Sequence, residues 1–393
     1  MSDETQPLGP RLQGSNAAGM RARNERLALS LVRRHGALAK SEIARMTGLS
    51  AQTVSVIMRA LENDGLLVRG EPVRGRVGQP SVPMGLAADG AYFLGLKIGR
   101  RSSELVLTDF LGAVETRARR SYPYPTPEAT LEFACQEIEE VLNGQTPDRQ
   151  TRLAGLGVAM PFFLWNWAQT LGVPAENMAG WRDFDMRAEL AARTGLPVFL
   201  ENDATAACSA ELVFGPQEGP RDFLYFYIGY FGGGGVVLNG QLFSGRGNAG
   251  ALGPLPVPSG DGGVRQFIDF ASLYVLEDMM RQNGDRTEGL WTSVENWHVE
   301  DAIRDAWLGT AAKGLAHATL AGCSIIDFEA VKIDGWMRPE LRSALVAETN
   351  RQLDGLNLTG MARPEVLPGT IGPDARALGA ASLPLAQRFL IEG

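Results

Sequence analysis

Cysteine and histidine are scarce in this sequence, with three of each among 393 residues. Cys135, Cys208 and Cys323 lie far apart and show no paired spacing. This distribution excludes a disulfide framework and a cysteine-rich zinc cluster, and it is typical of a reducing compartment. The histidines are equally scattered and supply no set of metal ligands. We therefore expect no metal site.

Long apolar runs are also missing. No run approaches the roughly 20 residues that span a bilayer, and residues 1–20 contain no apolar core of a secretory signal. We expect residues 1–20 to form a disordered leader. The protein is expected to be soluble and cytoplasmic, with no membrane partner.

The chain is long enough for two or three domains, and its hydrophobic content of 45% and charged content of 21% are ordinary for a globular protein. Its charge is unevenly distributed. Residues 1–88 hold 12 Lys and Arg against 7 Asp and Glu, although the whole chain has a net charge of -8. A basic first part before an acidic remainder predicts that only the first part contacts a polyanion.

The N-terminal part of the chain has the pattern of three short helices. Asn24, Ser41 and Ser50 are placed as N-caps of successive apolar stripes. Gly36 and Gly48 would end the first two helices. The second and third helices, joined by the turn at Gly48, predict a helix-turn-helix, which places one helix in the major groove of DNA.

The third of these helices has the features of a recognition helix. Its predicted buried stripe follows the helical i, i+3, i+4, i+7 spacing and consists of Val54, Ile57, Met58 and Leu61. The opposite face begins with short or hydrogen-bonding side chains, which suit the reading of base edges. The predicted DNA contacts on this helix are Ser50, Gln52, Thr53, Ser55 and Arg59.

Two strand-like runs follow, and the loop between them carries Arg74, Arg76 and Gln79. Glycines beside arginines let a backbone lie close to phosphates or enter a minor groove. We predict a wing and assign these three side chains to DNA contact. Residues 21–88 are thus interpreted as a winged helix-turn-helix, and the alternative is a three-helix module that docks another protein.

From residue 91 onward, strand meanders followed by helices occur twice. The predicted strands are residues 92–98, 104–109, 114–121 and 153–160 in the first set, and 223–228, 235–238 and 241–243 in the second. Asn239 and Gly240 form a strong two-residue hairpin signal. The pattern predicts an α/β body of two lobes with a cleft between them.

Four segments of the body carry a family resemblance: PAENMAGWRDFDM, LENDATAACSAELVFG, YIGYFGGGGVVLNGQLFSGRGNAGALG and PGTIGPDARALGAAS. In order and spacing they resemble the ROK family of repressors and sugar kinases. The resemblance covers residues 24–382 and implies an actin-like (RNase H-like) body at residues 91–393. It places lobe 1 at residues 91–205 together with the C-terminal helix, and lobe 2 at residues 206–375.

The body departs from the family's sugar kinases where they read D-x-G-x-T, whose aspartate handles the metal of the nucleotide. Here the segment is KIGRR, beginning at Lys97. A lysine offers no acceptor to Mg²⁺, so we do not expect phosphoryl transfer. The basic residues of this segment either attract an anion or are solvated at a strand end. The glycines at residues 232–235 are interpreted as an inherited turn.

The resemblance also implies a ligand-binding set, which consists of Asn177, Asn202, Asp203, Gly247 and Asn248. Asp203 matches the general base of the kinases, although Asn202 and Asp203 could instead cap the helix that follows. The family's E-x-G-H motif reads ALGP at residues 251–254, and its zinc-binding cysteine cluster is missing. No catalytic residue, cofactor or metal is therefore predicted.

An aromatic group stands where the family has a proline-glycine turn and polar residues; it consists of Phe162, Phe163, Trp165 and Trp167. Core packing or a lobe interface is its default interpretation. Because aromatic faces also stack on sugar rings, the alternative is that this segment reshapes the ligand pocket.

These features together predict a DNA-binding transcriptional repressor. Its partners would be a double-stranded operator, a small effector such as a sugar or sugar derivative, and further copies of itself, as a homodimer or a dimer of dimers. One alternative is an active sugar kinase with an appended DNA-binding domain. The other is a ligand-independent regulator whose body only dimerises.

Overall fold

A computed structural model describes residues 17–72, 81–168 and 172–391. The chain divides into two compact units: the first ends at Leu86 and also includes Phe389–Ile391, and the second, which we call the body, runs from Ala87 to Arg388. Among the described residues, no helix is long and apolar enough to cross a membrane.

The N-terminal unit contains three helices and a two-stranded sheet. Its elements are α1 (Ala17–His35), α2 (Lys40–Thr47), α3 (Ala51–Asn63), β1 (Leu67–Arg69) and β2 (Met84–Leu86). The two strands pair antiparallel, with Leu67 opposite Leu86. This is the predicted winged helix-turn-helix fold.

Two of the predicted caps are wrong. Helix α1 begins at Ala17, so Asn24 lies inside it, and residues 17–20, assigned to the leader, are helical. Residues 1–16 lie outside the described residues. The N-cap of α2 is Ala39 rather than Ser41, because the backbone N–H of Ala39 donates to Glu42 Oε2 at 2.7 Å. The start of α2 is therefore capped by the Glu42 carboxylate and not by the predicted Ser41 hydroxyl.

The turn and the recognition helix are as predicted. Gly48 ends α2 in the left-handed region, at φ 71°. Ser50 Oγ accepts the backbone N–H of Thr53 at 3.1 Å and caps α3. The buried side chains of α3 are Val54, Ile57, Met58 and Leu61. The apolar spacing in the sequence therefore correctly predicted which face of α3 is buried.

The first lobe of the body is a five-stranded sheet with helices. Its elements are β3 (Tyr92–Ile98), β4 (Ser102–Thr108), β5 (Val114–Ser121), α4 (Pro127–Asn143), α5 (Pro147–Thr151), β6 (Leu153–Ala159), α6 (Ala175–Ala179), α7 (Met186–Thr194) and β7 (Val198–Glu201). The strand order is β5-β4-β3-β6-β7. The first three strands pair antiparallel, and β6 and β7 are parallel to β3.

Helix α8 (Asp203–Phe214) leads from the first lobe to the second. The elements that follow are β8 (Phe223–Ile228), β9 (Gly232–Leu238), β10 (Gln241–Leu242), β11 (Pro256–Pro258), β12 (Val264–Gln266), α9 (Leu273–Asn283), α10 (Gly289–Thr292), α11 (Asp301–Cys323), β13 (Ala330–Gly335), α12 (Pro339–Asp354), β14 (Val366–Pro368) and α13 (Ala375–Phe389). The main sheet has the order β10-β9-β8-β13-β14, and β11 and β12 form a separate ribbon.

The two main sheets have the same topology. In each, an antiparallel meander of three strands continues into two parallel strands. The hairpin between β9 and β10 turns at Asn239 and Gly240, both at positive φ, as their sequence predicts. The repeated topology confirms the two-lobed, actin-like body.

The glycines at residues 232–235 lie in strand β9 rather than in a turn, so that interpretation was wrong. The reason is the close approach of α8 to this sheet. A Cβ on Gly235 would lie 2.4 Å from Cys208 Cβ, and one on Gly233 would lie 2.9 Å from Ala204 Cβ. The glycines therefore make room for α8.

Helix α13 packs on the five-stranded sheet of the first lobe and contacts α8. A Cβ on Gly157 would lie 1.7 Å from Ala380 O, which shows how closely α13 lies on the first-lobe sheet. A Cβ on Gly379 would lie 2.0 Å from Ala206 O. The two helices therefore touch through their backbones at the junction of the lobes.

Candidate functional site

The exposed face of α3 is the first candidate site. Gln52 and Arg59 are exposed, and Ser55 is half-buried. Ser50 Oγ and Thr53 Oγ1 are 2.8 Å apart and share a hydrogen bond at the start of the helix. Val56, which is 55% exposed, adds an apolar group to the same face, and apolar groups contact thymine methyls in a major groove. The arrangement suits major-groove reading.

The strands β1 and β2, which flank the predicted wing loop in the sequence, belong to the same unit as this helix. The ladder of β1 and β2 continues beyond the strands, because Gly70 N–H donates to Pro83 O at 2.8 Å. Arg74, Arg76 and Gln79 lie outside the described residues. Arg69 is held by Glu62, with Nε to Oε1 at 2.6 Å and Nη2 to Oε2 at 3.1 Å. Its charge is therefore already matched within the unit.

Lys97 stands at the end of β3, in the position that the resemblance compares with the metal-handling aspartate. It is 5% exposed, and its Nζ donates to Ser102 Oγ at 2.8 Å. Burial, together with the positive charge of Arg376, lowers the pKa of Lys97 to about 7. The interpretation as a solvated strand end is therefore wrong for Lys97.

Arg100 is also buried rather than solvated, with 9% exposure. Its Cζ lies 5.0 Å from the ring centroid of Trp167 and 4.2 Å from that of Phe231. Burial lowers the pKa of the Arg100 guanidinium to about 10. Its neighbour Arg101 lies over the Tyr230 ring at 5.4 Å. Two arginines thus fill the space between lobe 1 and the loop after β8.

Asp203, the residue that matches the kinase general base, is engaged by an arginine. Its Oδ2 lies 3.3 Å from Arg376 Nη1. Arg376 also lies over the Tyr227 ring at 5.0 Å. Sequence reasoning missed Arg376, although it is the basic residue of the last family segment, PGTIGPDARALGAAS.

The remaining predicted ligand residues have structural partners or lie in a loop. Asn202 Oδ1 accepts Ala204 N–H at 3.1 Å, so Asn202 caps α8. Asn177 Nδ2 donates to Tyr124 OH at 3.0 Å. Gly247, at φ 105°, and Asn248 are exposed between β10 and β11.

The loop that holds Gly247 and Asn248 is tied to the start of α8. Thr205 Oγ1 lies 3.4 Å from Gly234 O and 3.5 Å from Ala249 O. Leu252, within the segment that replaces E-x-G-H, packs toward β9, because a Cβ on Gly234 would lie 2.5 Å from Leu252 Cδ1. An apolar contact thus stands where the family places polar groups.

The aromatic segment divides between two roles. Trp167 packs on Phe231 with centroids 4.4 Å apart and so joins the lobes. Phe162, Phe163 and Trp165 instead line a cavity of about 440 Å³ together with side chains that include Trp181. Within the described ranges, no group of three or more His, Cys, Asp or Glu side chains is placed to hold a metal ion.

Comparison with known proteins agrees with this architecture. The ROK family model matches residues 93–386, and a winged helix-turn-helix DNA-binding model matches residues 21–68. The chain therefore belongs to the ROK family, and it joins the family's body to a winged helix-turn-helix DNA-binding domain.

Individual relatives include both regulators and kinases. The xylose repressor of Bacillus subtilis is 25% identical over 380 residues, covering 92% of this chain and 94% of that protein. A ROK family transcriptional regulator, a homologue of the E. coli MLC protein, superposes with a TM-score of 0.67 at 21% identity, covering 95% of this chain and 98% of the other. A ROK family glucokinase from Streptomyces griseus, solved with glucose and AMPPNP, has a TM-score of 0.56 at 20% identity. This similarity covers 75% of the present chain and 99% of the glucokinase.

Proposed function

We propose that this protein is a sugar-responsive transcriptional repressor whose ROK body regulates DNA binding and does not catalyse phosphoryl transfer. The observation that carries the proposal is the joining of a capped recognition helix, α3, to a body with Lys97 at the metal-handling position. The similarity to the Bacillus subtilis xylose repressor, along nearly the whole of both chains, supports it.

The DNA-binding step is assigned to α3 and the wing. Gln52 and Ser55 suit base edges, and Arg59 suits a phosphate or a guanine. Because two copies related by a two-fold axis present two recognition helices, we propose a homodimer or a dimer of dimers on a pseudo-palindromic operator. Its half-sites would be about 10 base pairs apart or a multiple of that spacing.

The catalytic inactivity of the body is argued from Lys97 and Asp203. Phosphoryl transfer depends on metal ions that bridge the phosphates and neutralise developing charge. A protonated amine at position 97 offers no lone pair to Mg²⁺. In the structure, Lys97 Nζ donates a hydrogen bond to Ser102 Oγ. The Asp203 carboxylate faces Arg376 and is thus occupied where a kinase would direct it at a hydroxyl.

The regulatory step is proposed to act through the lobes. We assign the effector to the cleft near Asn177, Asn202, Asp203, Gly247 and Asn248. A ligand that prefers one arrangement of the lobes shifts the population toward it and so changes operator affinity by linkage. The xylose repressor's name makes xylose and related sugars the first effectors to test.

The experiment starts with an operator selected by the full chain from random duplex DNA. Fluorescence anisotropy then measures operator affinity with and without a panel of sugars, and a coupled assay measures ATP turnover on the same panel. We expect specific DNA binding, a sugar-dependent change in affinity, and no turnover. Turnover that disappears in Asp203→Ala would instead establish the kinase, and DNA binding that no ligand changes would establish a ligand-independent regulator.

A further inference from the structure

Arg100 is a buried cation that forms no ion pair with a carboxylate of the described residues. No hydrogen bond or ion pair from its guanidinium is found among residues 17–72, 81–168 and 172–391, and its Nε is buried without a partner. Burying a charge is costly unless it is paired and hydrogen-bonded. The rings of Trp167 and Phe231 compensate only part of this cost.

The surroundings of Arg100 have an excess of positive charge. Asp203 and Arg376 both act electrostatically on Arg100 and on Lys97, so the two buried cations are influenced by the same carboxylate and the same guanidinium. Asp203 is the one carboxylate among them, and Arg376 already binds it. Glu104, which also acts on Lys97, is bound by Arg117 at 2.6 Å.

The neighbouring arginines differ from Arg100 in donating side-chain hydrogen bonds to acceptors within the protein. Arg119 donates to Thr292 O at 3.0 Å and to Trp291 O at 2.6 Å. Arg101 donates to Pro123 O at 3.0 Å. At least one Nη group of Arg101 and of Arg119 therefore has an acceptor within the protein, although their Nε groups are buried without one, as is that of Arg100. Neither Nη group of Arg100 donates to a residue in the described ranges, so both are left for another acceptor.

We propose that Lys97, Arg100 and Arg376, here named the cationic cluster, bind an anionic group of the effector, either a phosphate or a carboxylate. This inference rests on the proposed function, because it specifies the class of ligand that controls DNA binding. The effector would accordingly be a sugar phosphate or a sugar acid rather than a neutral sugar.

The geometry of Arg100 fits an oxyanion. The N–H groups of a guanidinium form a planar fork that matches two oxygens of a carboxylate or phosphate. The contacts with Trp167 and Phe231 hold the Arg100 guanidinium in place, and its Nη groups donate to no residue in the described ranges. A neutral hydroxyl could accept one hydrogen bond but would leave the charge excess uncompensated.

The same contacts connect anion binding to the arrangement of the lobes. Arg100 and Trp167 belong to the first lobe, and Phe231 lies between β8 and β9 in the second. An anion that pulls the guanidinium away from the Phe231 ring would weaken one contact between the lobes. Binding at the cationic cluster would therefore favour a different lobe arrangement.

Lys97 makes anion binding at the cationic cluster depend on pH. The groups that act on it are Arg376 and Arg119, which disfavour its charge, and Glu104 and Asp203, which favour it. With a pKa of about 7, Lys97 is only partly protonated at neutral pH. An incoming anion favours the ammonium form, so its binding takes up a proton and weakens as the pH rises above 7.

Isothermal titration calorimetry of the full chain tests the proposal. The probes are D-glucose 6-phosphate and inorganic phosphate for phosphates, D-gluconate and D-xylonate for carboxylates, and D-glucose and D-xylose as neutral sugars. We expect at least one anion to bind, with the phosphate and carboxylate probes identifying which oxyanion is preferred, and Arg100→Met to weaken that binding at least about tenfold. The exposed Arg187→Met is the matched control and should bind as the wild type does.

The outcomes separate a failure of this inference from a failure of the proposed function. Operator binding is measured on the same samples, and thermal melting confirms that Arg100→Met is folded. If Arg100→Met proves unstable, Arg100→Lys, which keeps the charge but not the fork, replaces it. Operator binding with no anion bound at about 10 mM, or anion affinity unchanged in the Arg100 variant, would overturn the cationic cluster alone. Loss of specific DNA binding in the wild type would overturn the repressor instead.

Discussion

Asp203 and Arg376 form an ion pair that joins the first turns of the two helices at the lobe junction. The oxygen–nitrogen distance is 3.3 Å, and the two side chains are 12% and 11% exposed. Asp203 begins α8 and Arg376 is the second residue of α13. Any group that binds Asp203 must therefore compete with Arg376 at the point where the helices meet.

Removing one partner of this pair leaves the other buried and uncompensated. We expect Asp203→Asn to lower the free energy of unfolding of the body by about 3 kcal/mol, the usual scale for a broken buried pair. Adding Arg376→Met to Asp203→Asn should restore much of this loss. Urea unfolding followed by tryptophan fluorescence measures both. Asp301→Asn, which removes an exposed partner of Arg304, is the control and should change the free energy by less than about 1 kcal/mol.

The cap of the recognition helix predicts a paired result in the N-terminal unit. Ser50→Ala removes the acceptor of Thr53 N–H and should destabilise this unit by about 1 kcal/mol. Ser41→Ala should have almost no effect, because Ala39 and Glu42 form the cap of α2. Thermal melting by circular dichroism of the full-length variants compares the two. An equal loss for both serines would contradict the cap assignment.

The sequence predicted those features of the fold that depend on neighbouring residues. The stripe on α3 and the hairpin at Asn239 follow from local spacing and backbone preference. The run at residues 232–235 was misread, because its glycines are required by α8, which lies some 30 residues earlier in the sequence. Close packing between distant segments has no signature in a local window.

The candidate site was predictable only to the same extent. The family segments indicated Asp203 and Asn202, and the KIGRR sequence indicated an unusual charge at Lys97. The contact of Arg100 with both Trp167 and Phe231 was not predictable, because three segments far apart in the chain must fold before these side chains meet. Burial then decides whether a cation is a solvated group or a candidate binding group.

The exposed face of α3 gives a prediction for DNA binding. Arg59→Ala should weaken operator binding about tenfold and reduce the salt dependence by about one phosphate contact if it binds the backbone. Gln52→Ala should instead reduce discrimination between operator and random duplex, and Arg76→Ala should weaken binding through the predicted wing. Anisotropy titrations at several salt concentrations measure all three. Arg187→Met is the control, and unchanged binding in a variant would remove that residue from the interface.

Lys97 predicts how the stability of the body depends on pH. Its pKa is lowered from 10.5 to about 7 in the folded chain, chiefly by burial. Between these two values the unfolded chain binds a proton that the folded chain does not, so this group makes stability rise with pH, by at most about 1.4 kcal/mol per unit. Below pH 7 both states hold the proton, and the cost of burying the charge is fully present.

Lys97→Met should remove this contribution. We expect the variant to gain stability relative to the wild type at pH 7 and to lose most of that advantage by pH 10, because neutral lysine carries no burial cost for charge. Urea unfolding at pH 7, 8, 9 and 10 gives the slope of the free energy of unfolding against pH for the wild type and for Lys97→Met. The control is Lys313→Met, altered at a lysine of α11, which should keep the wild-type slope. Parallel curves for wild type and Lys97→Met would show that Lys97 is charged throughout, with Glu104 and Asp203 compensating its burial.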